Sequence, residues 1–172
     1  GGPAVPALDR SECGAAFGVA KGAYVLADAV DGKPEVVLMG SGSEVSLGVN
    51  AYEQLKAEGI KARVVSMPSW DLFDRQSDEY KAKVLPPEVK ARVAVEQAAT
   101  FGWSQYVGLS GIVIGMRRFG ASAPIKDLQK KVGLTTENEV AAARKAGGEE
   151  TGGRRGSASG RKGKTKGWRA KE

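Results

Sequence analysis

Histidine is absent from this 172-residue sequence, and cysteine occurs once, at Cys13. Without histidine the chain lacks the commonest general base and the usual zinc ligand, and it cannot form a Ser/His or Cys/His catalytic pair of its own. A single cysteine excludes an internal disulfide, which favours a reducing compartment. We therefore expect a cytoplasmic protein without histidine-based chemistry.

Long apolar stretches are also missing. No apolar run reaches the roughly 18 residues that a membrane-spanning helix needs, so we expect no membrane association. The first residues, Gly1–Pro6, have neither the charged start nor the apolar region of a secretory signal. Because the sequence does not begin with methionine, we expect it to start inside a longer reading frame.

The net charge of +6 is concentrated at one end of the chain. Residues 149–172 contain eight of the 26 basic residues and three of the 20 acidic residues, so the remainder is close to neutral. From residue 148 onward Gly, Ser, Lys and Arg dominate without hydrophobic periodicity, which predicts a disordered basic tail over 148–172. A solvated tail is our preferred interpretation. The alternative is an arm that binds nucleic acid. With the solvated tail preferred, nucleic acid is not an expected partner.

Short apolar segments alternate with helical patterns between residues 34 and 147. Such an alternation is typical of parallel strands that helices cover on both faces. We therefore predict a three-layer α/β/α fold with a mostly parallel sheet of about five strands, in one domain over 34–147. Residues 1–33 are interpreted as a leader or the end of a preceding domain. The predicted strands are 24–26, 35–40, 61–67, 91–95 and 111–116.

Helix boundaries can be predicted from capping patterns. Ser41 and Glu44 have the spacing of a capping box, which predicts that a helix begins there, and Gly59 is the expected end of that helix. One helical stretch is predicted over 71–84. The last helix is predicted to be capped by Thr136–Glu139 and to continue to about Lys145.

The turn Gly40–Glu44 joins a predicted strand to a helix at the carboxyl edge of the sheet. Such a turn can expose backbone N–H groups at the positive end of the helix dipole and bind a phosphate or carboxylate. It matches neither the P-loop nor the dinucleotide fingerprint. A tight turn with a capped helix is therefore preferred, and anion binding is the alternative. The candidate anion-binding residues are Ser41, Gly42, Ser43, Arg117 and Arg118.

Aromatic and acidic residues follow two other predicted strands. Trp70 and Phe73 are interpreted as packing on a neighbouring chain or domain, with the rim of a binding site as the alternative. Glu96 is a lone carboxylate, with no second carboxylate at a fixed spacing that would form an acid/base pair.

Five segments of the sequence resemble, in order, the C-terminal domain of transketolases. They are similar to that family's T/S-G-S-E-V turn, its RVVSMPS strand, its VLP and ARVAVE segments and its FGASAP turn. A single short motif would be weak support, whereas five collinear ones are specific, and the resemblance covers roughly residues 22–146. The segments are Ser41–Val45, Ala62–Ser69, Val84–Pro86, Ala91–Glu96 and Phe119–Pro124.

The resemblance implies a parent enzyme of known chemistry. Transketolases are homodimeric transferases that move two-carbon ketol units between sugar phosphates in the pentose phosphate and Calvin pathways, using thiamine diphosphate and a divalent metal, Mg or Ca. The family's diphosphate-binding motif and activating glutamate belong to other domains and are not found here. The resemblance thus implies a fragment that acts as scaffold and dimer interface. It implies no catalytic, cofactor-binding or metal-binding residue, and no activity for this chain alone.

Two other interpretations are kept. The same type of domain ends the β-type subunits of 2-oxo-acid dehydrogenases, although the RVVSMPS-like and FGASAP-like segments favour transketolase. A free-standing anion-binding or regulatory module of the same fold would use Ser41–Glu44 together with Arg117 and Arg118.

Overall fold

The computed structural model of the protein describes residues 16–116 and 133–148. Five strands form one sheet in the order β1-β3-β2-β4-β5. Neighbouring strands β2 and β3, β2 and β4, and β4 and β5 are parallel, whereas β1 runs antiparallel to β3. The predicted mostly parallel sheet is confirmed. The strands are β1 (Tyr24–Ala27), β2 (Val36–Gly40), β3 (Ala62–Ser66), β4 (Arg92–Ala99) and β5 (Ile112–Met116).

Strand β1 comes from the segment that the sequence analysis interprets as a leader. Tyr24 is paired with Ser66 and Val25 with Val65, so this short strand adds to the free side of β3. Leu26 is 5% exposed and belongs to the same buried cluster as the central strands. The structure thus places residues 24–27 in the sheet of the domain predicted to begin at residue 34.

Five α-helices connect or cover these strands within the described residues. The stretch 71–84, predicted as one helix, consists of two helices. The division occurs because Ser69 and Ser77 each accept a hydrogen bond from the backbone N–H three residues on, and each begins a new helix. The helices are α1 (Val45–Ala57), α2 (Trp70–Asp74), α3 (Asp78–Val84), α4 (Ser104–Val107) and α5 (Thr136–Ala146), with 3₁₀ helices at Ala16–Lys21 and Gly42–Glu44.

Helix α1 ends as its sequence predicts. Gly59 adopts a positive φ of 81°, a conformation in which a side chain would be strained. Its N–H donates to the carbonyl of Lys56 (3.1 Å), and the N–H of Ile60 donates to the carbonyl of Leu55 (2.9 Å). These two bonds satisfy carbonyls that the last turn leaves unpaired, which is the Schellman arrangement.

The core consists of two apolar clusters on opposite faces of the sheet. Val36 and Leu38 point to one cluster, while Val37 and Met39 point to the other, so that β2 is buried along its entire length. Helices α1 and α5 cover the first face, and α2, α3 and α4 contribute to the second. This alternation explains why the strands read as continuous apolar runs in the sequence.

Arg63 is a charged residue buried within this core, at 5% exposure. Its guanidinium donates to both oxygens of Asp28, at 2.8 Å each. It also donates to the carbonyl oxygens of Lys83, Val84 and Gly32, at 2.8, 3.3 and 3.2 Å. Five donors thus meet five acceptors, and Arg63 ties β3 to the loop after β1 and to the end of α3.

Candidate functional site

The topology of the sheet indicates where a site would lie. From β2 the chain passes to β3 on one side, whereas from β4 it passes to β5 on the other side. In open α/β sheets ligands bind in the crevice at the carboxyl ends of two strands that diverge in this way. Gly40, the last residue of β2, is paired with Val95 of β4. Ser41 and Glu96 therefore lie next to each other at this crevice.

A cleft of about 360 Å³ opens at this edge of the sheet. Its polar groups are two hydroxyls and two carboxylates, and its apolar side is formed by a tryptophan, a methionine and a proline. The lining residues are Ser41, Met67, Pro68, Ser69, Trp70, Asp71 and Glu96.

Glu96 is held by two donors from different parts of the chain. The hydroxyl of Ser41 donates to Glu96 Oε2 at 3.5 Å, a long hydrogen bond, and the indole Nε1 of Trp103 donates to the same oxygen at 3.2 Å. From the sequence Glu96 was interpreted as a lone carboxylate, and neither partner was predicted. Nothing in the local pattern could have revealed them, because Ser41 is 55 residues away and an indole N–H has no motif.

The capping box predicted at Ser41 and Glu44 is not formed. Ser41 makes no capping bond from its side chain, and a 3₁₀ turn, Gly42–Glu44, precedes α1. The physical reason is that the backbone N–H of Glu44, which a capping box would direct to the Ser41 hydroxyl, donates to the Ser41 carbonyl at 3.2 Å instead. The hydroxyl itself donates to Glu96. The hydroxyl of Ser43 likewise donates to Glu44 Oε2, at 3.3 Å.

Of the five candidate anion-binding residues, the structure describes the three in the turn. Ser41 and Ser43 each direct a hydroxyl to a carboxylate, and Gly42 supplies the positive φ of 55° that the turn requires. Arg117 and Arg118, the cationic half of the candidate site, lie outside the described residues. Anion binding by this turn therefore stays a prediction.

Aromatic side chains beside the cleft pack on one another within the domain. The rings of Trp70 and Trp103 meet edge to face with centroids 5.2 Å apart, and Tyr106 lies 5.6 Å from Trp70. Phe73 is 2% exposed and lies 6.1 Å from Tyr106. The interpretation that Phe73 packs on a neighbouring chain or domain is wrong, because its ring is buried inside this domain. Trp70 contacts Trp103 and Tyr106 but stays partly exposed, so its packing on a neighbour stays a prediction.

The phenol hydroxyls of two tyrosines in this region donate hydrogen bonds within the domain. Tyr106 donates to Asp74 Oδ1 at 2.9 Å, and burial together with this bond and the Asp74 charge raises the pKa of Tyr106 far above its usual value. Burial also raises the pKa of Tyr80, whose hydroxyl donates to the carbonyl of Ala23 at 2.9 Å. Neither phenol is activated as a base or nucleophile, because both hold their protons more tightly than free tyrosine.

A second cleft, of about 400 Å³, lies between α3 and α4. Arg92 lines it but donates to four carbonyl oxygens of the surrounding chain, at distances of 2.7–3.4 Å, so its guanidinium is committed to the fold.

Among residues 16–116 and 133–148, no group of three or more His, Cys, Asp or Glu side chains could hold a metal ion. Nor does that part of the chain contain a helix of the length and apolarity required to cross a membrane.

Comparison with known proteins agrees with the fold and the sequence motifs. A family model for the transketolase-like TK C-terminal domain matches residues 22–135. Transketolase 10 of Craterostigma plantagineum is 55% identical over 129 residues, which are 74% of this chain and 19% of that protein. A transketolase of Halalkalibacterium halodurans is 51% identical over 140 residues, which are 81% of this chain and 21% of that protein.

Solved structures agree as well. The structure of a transketolase from Leishmania mexicana matches with a TM-score of 0.70 and 43% identity, covering 80% of this chain and 19% of that one. The chain thus spans about a fifth of the length of these relatives. Taken together, the motifs, the sheet and these matches show that the chain belongs to the transketolase family and carries its C-terminal domain.

Proposed function

We propose that this chain is the scaffold and assembly domain of a transketolase whose reacting groups lie elsewhere in a longer protein. The observation that carries the proposal is that polar side chains at the carboxyl edge of the sheet form hydrogen bonds with one another. Glu96 is engaged by Ser41 and Trp103, and Ser43 by Glu44, so the side chains best placed for chemistry hold the fold instead. The length of the relatives supports the same view, since this domain is about a fifth of each.

The side chains of the carboxyl-edge cleft do not fit a diphosphate cofactor. Glu96 and Asp71 line the cleft, and an ionised carboxylate repels a diphosphate. We therefore propose that thiamine diphosphate and its divalent metal are bound by other domains of the parent enzyme. When bound there, the cofactor supplies the carbanion stabilisation that ketol transfer needs. No residue of this chain is assigned a step in that chemistry.

Sugar phosphates are the proposed substrates of the parent enzyme. Transketolase structures from Pichia stipitis contain xylulose 5-phosphate or sedoheptulose 7-phosphate and are 39% identical to this chain, with TM-scores of 0.70. Two-carbon transfer between such sugars would place the parent in the pentose phosphate or Calvin pathway. Its cytoplasmic location stays a prediction, because relatives from Zea mays and Solanum tuberosum are named as chloroplastic.

Self-association is the proposed structural role. A split-gene transketolase described as an inactive β4 tetramer matches this chain with a TM-score of 0.56 and 27% identity, and this chain covers 41% of it. That protein assembles without being active, which is the behaviour we propose for this domain. In the full-length parent we propose a homodimer to which this domain contributes contacts.

A domain exchange tests the proposal. Residues 22–146 would replace the matching segment of the Geobacillus stearothermophilus transketolase, a relative 48% identical over 136 residues. The chimera should transfer ketol units from xylulose 5-phosphate to an aldose phosphate with kcat within about tenfold of the parent, because the reacting groups are untouched. The 172-residue chain alone, given thiamine diphosphate and Mg²⁺, should show no turnover.

Two results would contradict the proposal. Turnover by the isolated chain would show that it carries reacting groups. A chimera that folds and dimerises normally, as judged by circular dichroism and sedimentation, but lacks activity would show that the native domain supplies more than a scaffold.

A further inference from the structure

Glu139, on α5, is a buried acidic residue without a visible partner. It is 1% exposed, and neither carboxyl oxygen has a hydrogen-bond partner within residues 16–116 and 133–148. Buried polar atoms in native proteins nearly always have partners, because an unpaired one loses its hydration without replacement. Arg63, a comparably buried charged residue, satisfies all its donors. Glu139 therefore needs an explanation.

The carboxyl group of Glu139 lies at the interface between α5, α1 and the sheet. A methyl group placed on Gly48 of α1 would lie 3.5 Å from Glu139 Oε1 and 3.4 Å from Val64 of β3. The next residue, Val140, belongs to the apolar cluster that contains Leu38 and Val64. The carboxyl group thus occupies an apolar seam that would otherwise hold a hydrocarbon side chain.

Within the described residues, no charge in the elements packed against α5 compensates this carboxyl. Helix α5 packs against α1, β2, β4 and β5. The described parts of β2 and β5 contain no ionisable residue. Burial alone raises the pKa of Glu139 from 4.5 to about 8, with no contribution from any charged group. The ionisable residues on the remaining packed elements are Tyr52, Glu53 and Lys56 on α1, Arg92 and Glu96 on β4, and Glu137, Arg144 and Lys145 on α5 itself.

We propose that Glu139 is a proton-dependent latch for the last helix: α5 docks on α1 while the carboxyl is protonated, and loss of the proton favours release of the helix into water. An ionised carboxylate in this seam would lack both solvent and a counter-ion, and undocking restores its hydration. Beyond its apolar contacts, α5 is held to the end of α1 by an exposed ion pair between Arg144 and Glu58, which contributes little stability.

The sign and the pH window follow from proton linkage. In the undocked helix Glu139 has its ordinary pKa of 4.5, whereas in the docked helix the pKa is about 8. Between these values undocking releases a proton, so the undocking equilibrium constant rises roughly tenfold for each pH unit. Docking is therefore strongest at low pH and weakens as pH increases to about 8. At higher pH the docked form is ionised as well, and the dependence levels off.

Amide hydrogen exchange of the full 172-residue chain measures this equilibrium. Rates for the amides of α5 would be compared between the wild type and Glu139→Gln from about pH 6 to about pH 9, under conditions in which exchange reports the opening equilibrium. The ratio of wild-type to variant rates cancels the intrinsic pH dependence of exchange. It should increase roughly tenfold per pH unit up to about pH 8 and then become constant.

Controls are available on the same helix and in the sheet. Glu137→Gln removes an exposed carboxylate of α5, and its ratio to wild type should be independent of pH. The amides of β3 should show no rising ratio, because only α5 is released. A pH-independent ratio in α5 overturns the latch, and so does an equal rise in α5 and β3, which would mean global unfolding.

A direct titration makes the test independent of the variant. The ¹³C shift of the Glu139 carboxyl in the wild-type chain should change with a midpoint near 8. A midpoint near 4.5 would overturn the proposal even if Glu139→Gln failed to fold. Neither measurement depends on ketol transfer, so the latch and the scaffold function fail separately.

Discussion

Replacing Arg63 with methionine should destabilise the domain strongly, because the guanidinium holds three segments together. Methionine matches much of the length and apolar character of the side chain but cannot donate hydrogen bonds. The variant removes both guanidinium bonds from the Asp28 carboxylate, which keeps the bond from the backbone N–H of Ala29, and it removes a donor from the carbonyls of Gly32, Lys83 and Val84. The substitution therefore exchanges a satisfied polar network for several groups that must find water or remain unpaired.

The burial of the two partners sets the size of the effect. Breaking a buried ion pair by removing one member commonly costs about 3–5 kcal/mol. The Arg63 side chain is 6% exposed, but that of Asp28 is 34% exposed, so water can partly solvate the abandoned carboxylate. We therefore expect the lower end of the range, about 3 kcal/mol. With a urea slope of about 1.5 kcal/mol per M, the unfolding midpoint should decrease by about 2 M.

Urea unfolding followed by circular dichroism at equilibrium measures this loss. Lys61→Met is the matched control, since Lys61 lies beside the same strand but forms an exposed ion pair with Asp31. Its midpoint should stay close to that of the wild type, because water replaces the exposed pair. If Arg63→Met and Lys61→Met unfold at the same urea concentration, the buried network of Arg63 stabilises the domain no more than the exposed ion pair does.

Two further predictions concern the aromatic cluster. Gly102→Ala should lower the free energy of unfolding by about 2–3 kcal/mol in thermal melts, because Gly102 has a φ of 93° and its added methyl group would lie 2.5 Å from the Trp70 ring. Gly59→Ala, with a similar φ and no atom within 4 Å, should cost less, and equal losses would mean that the ring contact is unimportant. In an alkaline absorbance titration with Tyr80→Phe and Tyr106→Phe as assignments, the phenols of Tyr80 and Tyr106 should ionise with a pKa above the usual 10. The stability that these two phenols contribute should be complete below pH 10 and decrease as pH rises further, and ionisation of both at 10 or below would contradict this.

The central strands could be predicted from the sequence because burial on both faces produces a recognisable pattern. In β2 all five residues are buried, so it reads as an unbroken apolar run, and in β3 all five are buried as well although Arg63 interrupts the apolar pattern. The end of α1 was predictable for a similar reason, since Gly59 is the local residue that tolerates the required positive φ.

Helix starts were less predictable because several residues compete for the same role. The pattern over 71–84 suggests a single helix, but Ser77 interrupts it by capping α3. For α5 the cap was predicted within Thr136–Glu139, whereas the capping residue is Thr135, whose hydroxyl accepts from the N–H of Asn138 at 3.3 Å. Such choices depend on small energies, about 1 kcal/mol for a cap, which neighbouring contacts easily override.

At the candidate site, too, the location could be predicted from the sequence but the hydrogen bonds could not. Its location at the carboxyl edge follows from strand topology, and Ser41–Ser43 were recognised from their glycine-rich turn. The bonding of Ser41 and Trp103 to Glu96 could not be predicted, because it depends on which strand lies next to β2.

The sequence by itself determined the family, the type of fold and the position of the central strands, because each depends on neighbours along the chain or on collinear motifs. Tertiary structure alone decided which charged side chains are buried and whether they have partners. Arg63 meets Asp28 from 35 residues away and is fully paired, whereas the buried Glu139 carboxyl has no hydrogen-bond partner in the described part of the chain. The physical reason is that the free energy of a charge depends on its solvent and its counter-ions, and both are supplied by segments that are distant in the sequence.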